Sequence, residues 1–316
     1  VLDRTNGQLI AANPFVGVNW AARIDLASGR PVETDVLKRL RAGENFARLA
    51  RSLGIKTLLR PHIWLTENRD GKWLGAIEMK SDEDWGKWFA DYRAFILHYA
   101  ALAEHTGMEA LSIGAELHTA AVTRENDWRR LIAEVRGVYH GKLTYAANWY
   151  REFEEIRFWD ALDFIGIQAY FPVSEGESPS VESVKERWGT HLAAIEKVQR
   201  KYHKPVVFTE IGYKSTPDAA VRPWEWPARG VRAEASEAGL ETQRACYEAF
   251  FETFWDKDWF AGAYFWKWYP STRVTLGRMG QDFTPQHKPA EAVLAKWYAR
   301  KAALTLLKRR TDLLEP

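Results

Sequence analysis

Two apolar runs that each lead to a glutamate constrain the fold of this chain more than any other feature. The first run spans residues 110–115 and is followed by Glu116; the second spans residues 205–208 and leads through Thr209 to Glu210. Short apolar runs bounded by turn residues are typical of fully buried parallel strands. Because α/β folds keep their chemistry at the carboxyl ends of parallel strands, we expect both glutamates to lie on one functional face.

Strand-like and helical segments alternate along the rest of the chain. Seven strands are predicted, starting near residues 9, 56, 110, 142, 162, 205 and 261. The first is expected to end near residue 14 and to be followed by aromatic and polar loops up to residue 31. Apolar spacing and capping residues predict helices over residues 36–53, 81–105, 127–139, 181–202, 240–255 and 289–307.

This alternation predicts an α/β fold, a (β/α)8 TIM barrel built from parallel βα units. A closed barrel of this kind needs eight strands, so we expect its first βα unit to be incomplete or rearranged. The length of 316 residues fits one barrel, and no linker marks a second domain. We therefore expect residues 1–316 to form a single catalytic domain.

Composition excludes several classes of partner and favours one. The net charge of +2, from 44 basic and 42 acidic residues, is close to balanced and gives no indication of a nucleic-acid partner. No apolar segment approaches the ~20 residues that span a bilayer. The 16 Trp, 12 Tyr and 15 Phe are a surplus of flat rings, although most of the tryptophans are expected in the core. Such rings stack on sugar faces, so the surplus favours a carbohydrate site.

The two glutamates match the needs of glycoside hydrolysis, in which one carboxyl group donates a proton and the other attacks or stabilises a positive carbon. Strand-end residues near them supply the supporting groups. We expect Tyr170 to donate to a carboxylate, Arg60 to hold one charged, and Asn148 to bind a sugar hydroxyl. Trp266 or Trp268 is expected to form the floor of the sugar subsite, since alternate residues of a strand share one face.

Other chemistries have weaker support in the sequence. Nucleotide-binding and serine-hydrolase motifs are missing, and Cys246 lies in a helical pattern where a small buried apolar residue is expected rather than a nucleophile. A metal site built from His62, Glu116, His118 and Glu210 remains an alternative to the acid/base pair. No other set with metal-ligand spacing is present, so we expect neither a metal nor a cofactor.

Several strand-end motifs together resemble glycoside hydrolase family 113 over roughly residues 9–300. The motifs are Arg60-Pro61-His62-Ile63-Trp64, Ile113-Gly114-Ala115-Glu116-Leu117, Leu143-Thr144-Tyr145-Ala146-Ala147-Asn148-Trp149, Ile165-Gly166-Ile167-Gln168-Ala169-Tyr170-Phe171-Pro172, Phe208-Thr209-Glu210-Ile211-Gly212-Tyr213 and Phe265-Trp266-Lys267-Trp268.

That resemblance implies a (β/α)8 barrel of the large clan of retaining hydrolases, active on β-1,4-mannans without a metal. It also implies that Glu116, on strand four, is the acid/base and that Glu210, on strand seven, is the nucleophile. The wider clan usually has Asn before the acid/base where this chain has Ala115. We expect the family's first strand and helix, which should precede residue 9, to be absent or rearranged.

The predicted substrate is a β-linked oligo- or polysaccharide, bound by strand-end and loop residues. These residues are Arg60, His62, Trp64, Asn148, Trp149, Tyr170, Trp224, Trp266 and Trp268. The first hypothesis is a retaining endo-acting β-mannanase. The alternatives are an exo-acting β-mannosidase, a hydrolase of another β-linked glycan, and a non-catalytic glycan-binding barrel. We expect a monomer that is secreted or periplasmic, because polymer substrates lie outside cells.

Overall fold

A six-stranded parallel sheet carries the candidate site. The computed structural model describes residues 21–24, 31–33, 44–65, 71, 73–227, 234–269 and 280–312. In the order β3-β4-β5-β6-β7-β8, each strand pairs with the next one along the chain. The strands are β3 Leu58–Leu59, β4 Ala110–Ala115, β5 Lys142–Asn148, β6 Ile165–Gln168, β7 Val206–Ile211 and β8 Phe260–Phe265. All six were predicted, whereas the strand predicted near residue 9 lies outside the described residues.

A short antiparallel pair precedes this sheet. β1 (Ala21–Ile24) pairs with β2 (Pro31–Glu33) and has no place in the parallel order. The prediction of loops up to residue 31 was wrong for β1 and for Pro31. Strands of three and four residues are too short to show a clear alternation of apolar and polar positions. Their strand conformation is evident only from the hydrogen-bonded pairing in the structure.

Helices follow most of the strands, as in parallel βα units. They are α1 Glu44–Ser52, α2 Asp82–Thr106, α3 His118–Thr123, α4 Glu125–Arg136, α5 Glu152–Glu155, α6 Val181–Tyr202, α7 Glu237–Phe254 and α8 Pro289–Asp312. α1 covers the end of the helix predicted over residues 36–53, of which residues 36–43 lie outside the described part. α3 and α5 were not predicted, because six and four residues are too few for a helical period.

The ends of α2 show how local sequence sets a helix boundary. The Ser81 hydroxyl accepts a hydrogen bond from the Asp84 N–H at 3.1 Å, which caps the first turn. The helix ends at Gly107, whose φ of 62° lies in the left-handed region that glycine adopts without a steric penalty. Both ends agree with the prediction, and they deliver the chain to β4.

The sheet is curled, which a single contact shows. Arg60, directly after β3, binds Gln168 on β6 at 2.7 Å and also binds Glu210 on β7. In a flat sheet with strands ~4.8 Å apart, β3 and β7 would be separated by about 19 Å. That separation exceeds what two side chains can bridge, so the edge strand β3 is brought round to face β7.

Aromatic side chains fill the space between the sheet and the helices. Trp128, Trp159 and Trp188 are fully buried, whereas Trp64, Trp73, Trp224, Trp226 and Trp268 are exposed, so the described tryptophans divide between the core and the surface. Cys246 is also fully buried and unpaired on α7. Among the described residues, the helices lack either the length or the apolar character that crossing a membrane requires.

Candidate active site

Three polar side chains form a row across the carboxyl ends of adjacent strands. Asn148 on β5 is in register with Gln168 on β6, and Gln168 is in register with Glu210 on β7. Gln168 is 2% exposed and was not selected as a site residue from the sequence. It stands inside a predicted strand, and its polar character in that buried run was the available signal.

Glu210 lies between two hydrogen-bond donors. The Arg60 guanidinium binds one carboxylate oxygen, and the Tyr170 hydroxyl donates to the other at 2.8 Å. The Arg60 and Glu210 side chains are only 13% and 12% exposed, so solvent screens the pair weakly. Burial and the Glu210 charge raise the pKa of Tyr170 well above its usual range, which keeps its hydroxyl a donor. Both donors stabilise negative charge on Glu210.

Glu116 occupies a different environment. It follows β4 with a φ of 54°, and its Oε1 accepts a hydrogen bond from Asn148 Nδ2 at 2.7 Å. Burial raises the pKa of Glu116, and the Glu210 charge adds to the rise. Hydrogen bonds from Asn148 and the Trp73 indole, and the charge of Arg60, oppose the rise without cancelling it. Glu116 therefore keeps its proton to a higher pH than an ordinary glutamate.

The two glutamates are thus biased towards opposite roles. The Glu210 carboxylate is bound by the Arg60 guanidinium. Burial and the charge of Glu210 favour the protonated form of Glu116. Environments that separate two carboxyl groups in this way are the usual basis for dividing acid and nucleophile roles. The arrangement suits cleavage of a glycosidic bond.

Trp73 interacts with Glu116 and is not among the residues predicted from the sequence. Its indole hydrogen-bonds Glu116, and its ring stacks on His118 with centroids 6.3 Å apart. His118 in turn binds Glu155 at 2.8 Å.

The described residues contain no group of three or more His, Cys, Asp or Glu side chains placed to hold a metal ion. The structure therefore does not bring together the alternative ligand set that included His118.

Aromatic rings border the site in two groups. Trp149 stacks on Trp224 with centroids 5.2 Å apart and planes 23° apart. Trp266 meets Trp226 edge to face at 6.3 Å, and the Lys267 ammonium lies 4.8 Å from the Trp226 ring centroid. Trp226 is not among the residues predicted from the sequence.

Three of the remaining candidates have exposed side chains. Trp64 is 87% exposed and His62 is also exposed. β8 ends at Phe265, so the strand alternation that was expected to put Trp268 beside Trp266 does not continue, and Trp268 is 51% exposed.

Comparisons with known proteins agree with this geometry. The model of Glycoside Hydrolase Family 113 matches residues 41–302. A GH113 β-mannanase structure from Alicyclobacillus acidocaldarius is 32% identical, with a TM-score of 0.66 over 81% of this chain and 77% of that one. A GH113 β-1,4-mannanase complex is 30% identical, with a TM-score of 0.65 over the same shares. The described strands and helices are accordingly those of a (β/α)8 barrel, as predicted.

Short stretches of the chain resemble curated proteins of another kind. A stretch of 33 residues, 10% of this chain, is 67% identical to the quinohemoprotein alcohol dehydrogenase ADH IIB of Pseudomonas putida. One of 36 residues is 58% identical to the quinoprotein ethanol dehydrogenase of the same organism. The chain spans only 5% and 6% of the lengths of these two relatives. Matches of that extent describe a segment rather than a fold.

Proposed function

The chain belongs to Glycoside Hydrolase Family 113, and from that premise we propose that it cleaves β-1,4-mannosidic bonds in mannan or manno-oligosaccharides with retention of configuration. It is a glycoside hydrolase; the substrate and the two-step mechanism are the proposal. The observation that carries the proposal is the contrast between Glu210, held by Arg60 and Tyr170, and Glu116, whose pKa is raised.

Glu210 is the nucleophile in this proposal. Its carboxylate attacks the anomeric carbon, and a covalent glycosyl-enzyme forms as the bond to the leaving oxygen breaks. Arg60 and Tyr170 donate to the two oxygens of the attacking group and orient it before the reaction. Their hydrogen bonds also limit the rotation of the carboxylate, which favours a near-attack geometry.

Glu116 is the acid and then the base. In the first step it donates its proton to the departing glycosidic oxygen, so its raised pKa is an advantage. In the second step the resulting carboxylate takes a proton from water, which attacks the anomeric carbon and releases Glu210. Asn148 binds the same carboxylate oxygen throughout the cycle.

The aromatic groups support a carbohydrate substrate. Tryptophan faces stack on sugar rings, and both the Trp149–Trp224 and the Trp226–Trp266 pairs border the strand ends that carry the glutamates. The two GH113 structures named above are β-mannanases by their own descriptions, which supports mannan as the polymer. An endo-acting and an exo-acting enzyme share these features and differ in product size.

Hydrolysis of β-1,4-mannan and of manno-oligosaccharides, followed by product size over time, tests the proposal. Oligosaccharides of mixed length as first products support endo action, and mannose alone supports exo action. Glu210→Gln is the matched control, because the amide keeps the shape but cannot form the glycosyl-enzyme. We expect it to fold normally and to lose turnover. Binding of mannan without hydrolysis by the unaltered protein would identify a glycan-binding barrel and overturn the proposal.

A further inference from the structure

Glu152 is a buried carboxyl group behind the candidate acid/base. It begins α5, four residues after the end of β5, and has no exposed surface. We propose that Glu152 is a positioning residue that holds Glu116 in its working geometry through Tyr145 and Asn148. This inference rests on the proposed function of Glu116.

The first arm of the contact runs through Tyr145. Glu152 Oε1 accepts a hydrogen bond from the Tyr145 hydroxyl at 2.6 Å. The same hydroxyl oxygen accepts from the Leu117 N–H at 2.7 Å. Because a phenol has one proton, the Tyr145 hydroxyl donates to Glu152 and accepts from Leu117. These two hydrogen bonds connect Glu152 to the peptide that directly follows Glu116.

That peptide belongs to an unusual stretch of backbone. Glu116 has a φ of 54°, in the left-handed region that residues with a side chain seldom adopt. Its own N–H donates to the Ala146 carbonyl at 3.0 Å, and the next N–H donates to Tyr145. Hydrogen bonds on both sides therefore hold a conformation that the residue does not favour by itself, and one of them depends on Glu152.

The second arm runs through Asn148. Glu152 Oε2 accepts a hydrogen bond from the Asn148 backbone N–H at 2.5 Å. The Asn148 side-chain oxygen accepts from the Tyr150 N–H at 2.8 Å, which directs the amide nitrogen to Glu116 at 2.7 Å. The Glu152 carboxyl group thus supports two contacts of Glu116. Through Tyr145 it holds the backbone beside Glu116, and through the Asn148 backbone it holds the residue whose amide binds the Glu116 side chain.

Two acceptor oxygens are what this position requires. Burial raises the pKa of Glu152 to about 8, with hydrogen bonds from Tyr145 and Asn148 opposing the rise, and the nearby Glu116 and Glu155 adding to it. The protonated form of the carboxyl group carries an O–H on one oxygen, whereas the charged form offers two acceptor oxygens to its two donors. A glutamine offers one, so its amide nitrogen would face either the Tyr145 hydroxyl or the Asn148 N–H.

The test compares two substrates that differ in their need for an acid. Manno-oligosaccharides have a poor leaving group, which must be protonated as it departs. The dinitrophenolate of dinitrophenyl β-mannoside is a good leaving group and departs without protonation. For Glu152→Gln we expect kcat/KM on the oligosaccharide to fall by about tenfold or more, through kcat rather than KM. On the aryl mannoside kcat/KM should stay within about twofold of the unaltered enzyme, because proton donation contributes little there.

A second variant and a control keep the test decisive. Tyr145→Phe removes one hydroxyl, leaves Glu152 in place and should give the same split between substrates. Glu248→Gln is the matched control, because Glu248 is also buried but binds Lys296 and Trp297 on α8. It should leave both kcat/KM values unchanged. Thermal unfolding of each variant shows how much of any loss comes from unfolded protein.

Equal losses on the two substrates, in step with the folded fraction, would show that Glu152 is only structural and overturn the inference. Failure of both site variants to fold would have the same meaning. The Glu116→Ala enzyme separates this outcome from failure of the proposed function. If Glu116→Ala lacks the split between substrates, the proposed function fails; if only the Glu152 and Tyr145 variants lack it, this inference alone fails.

Discussion

Arg60 binds the carboxylate of Glu210, although their strands β3 and β7 stand four positions apart in the sheet. The same guanidinium donates to Gln168 at 2.7 Å. This contact joins the curl of the sheet to the charge of the candidate nucleophile. Since both side chains of the pair are largely buried, removing either would leave the other without its partner in a poorly solvated position.

Replacement of Arg60 by Met should therefore reduce both stability and activity. Breaking a buried pair from one side costs about 3 kcal/mol of unfolding free energy. Denaturant unfolding measures this cost. The matched control is Arg93→Met, because Arg93 binds Glu134 where the two side chains are 53% and 39% exposed. That surface pair should contribute less than about 1 kcal/mol, and equal losses in the two variants would contradict the role given to Arg60.

Arg60→Lys separates charge from geometry. A lysine keeps the positive charge but lacks the planar fork that serves Gln168 and Glu210 together. We expect kcat on manno-oligosaccharides to fall by about tenfold, from misorientation of the nucleophile. The loss of unfolding free energy should be smaller than in Arg60→Met. Full activity in the lysine variant would mean that charge alone is needed.

Trp266→Ala should lower kcat as well as affinity. Trp266 is half-buried at the end of β8 and packs against Trp226, next to the strand that carries Glu210. A ring that contacts the reacting sugar helps to hold its distorted geometry, so its loss should cost about tenfold in kcat. Trp268→Ala is the comparison, because Trp268 is 51% exposed beyond the strand. A change confined to KM in Trp266→Ala would move this residue to a remote subsite.

The sequence predicted the parts of the site that lie at strand ends. Glu116, Glu210, Asn148 and Tyr170 each follow or end an apolar run, and strand ends of a parallel sheet meet at one edge. That rule needs only the local pattern and the fold class. It is the reason that these four side chains were selected together; in the structure Asn148 binds Glu116 and Tyr170 binds Glu210.

The same rule could not find residues that tertiary contacts place. Glu152 follows β5 on a helix of four residues, and nothing local shows that its carboxyl group turns back to Tyr145. Trp73 lies in a loop, where no periodicity links it to Glu116. Gln168 looks like an ordinary strand residue until Arg60 is brought across the curled sheet. Each was missed because its contacts form only when distant parts of the chain come together in the folded structure.

Trp73→Phe should shift the pH dependence of activity. The Trp73 hydrogen bond favours the charged form of Glu116 and so lowers its pKa. Without that bond the pKa of Glu116 rises further, and the protonated form needed in the first step persists to higher pH. The basic limb of the kcat/KM profile, which reports the free enzyme, should move to higher pH. Phe keeps a ring to stack on His118.

Trp259→Phe is the control for this shift, because Trp259 directly precedes β8 at the opposite end of the sheet. Its profile should match that of the unaltered enzyme. A basic limb that stays in place in Trp73→Phe would mean that Glu116 is not the group that the limb reports.

The last prediction concerns the stereochemistry of the product. If Glu116 and Glu210 form a retaining pair, their carboxyl groups should lie about 5–5.5 Å apart in a crystal structure, against roughly 6.5–9.5 Å in an inverting pair. The first sugar product should then be the β-anomer, which NMR detects before mutarotation. Glu116→Ala should regain activity on dinitrophenyl β-mannoside when azide is added, because the glycosyl-enzyme needs only a small nucleophile once it has formed. Glu210→Ala should not be rescued to the same retained product. An α-anomer as the first product would exclude the two-step mechanism, even if both glutamates proved essential.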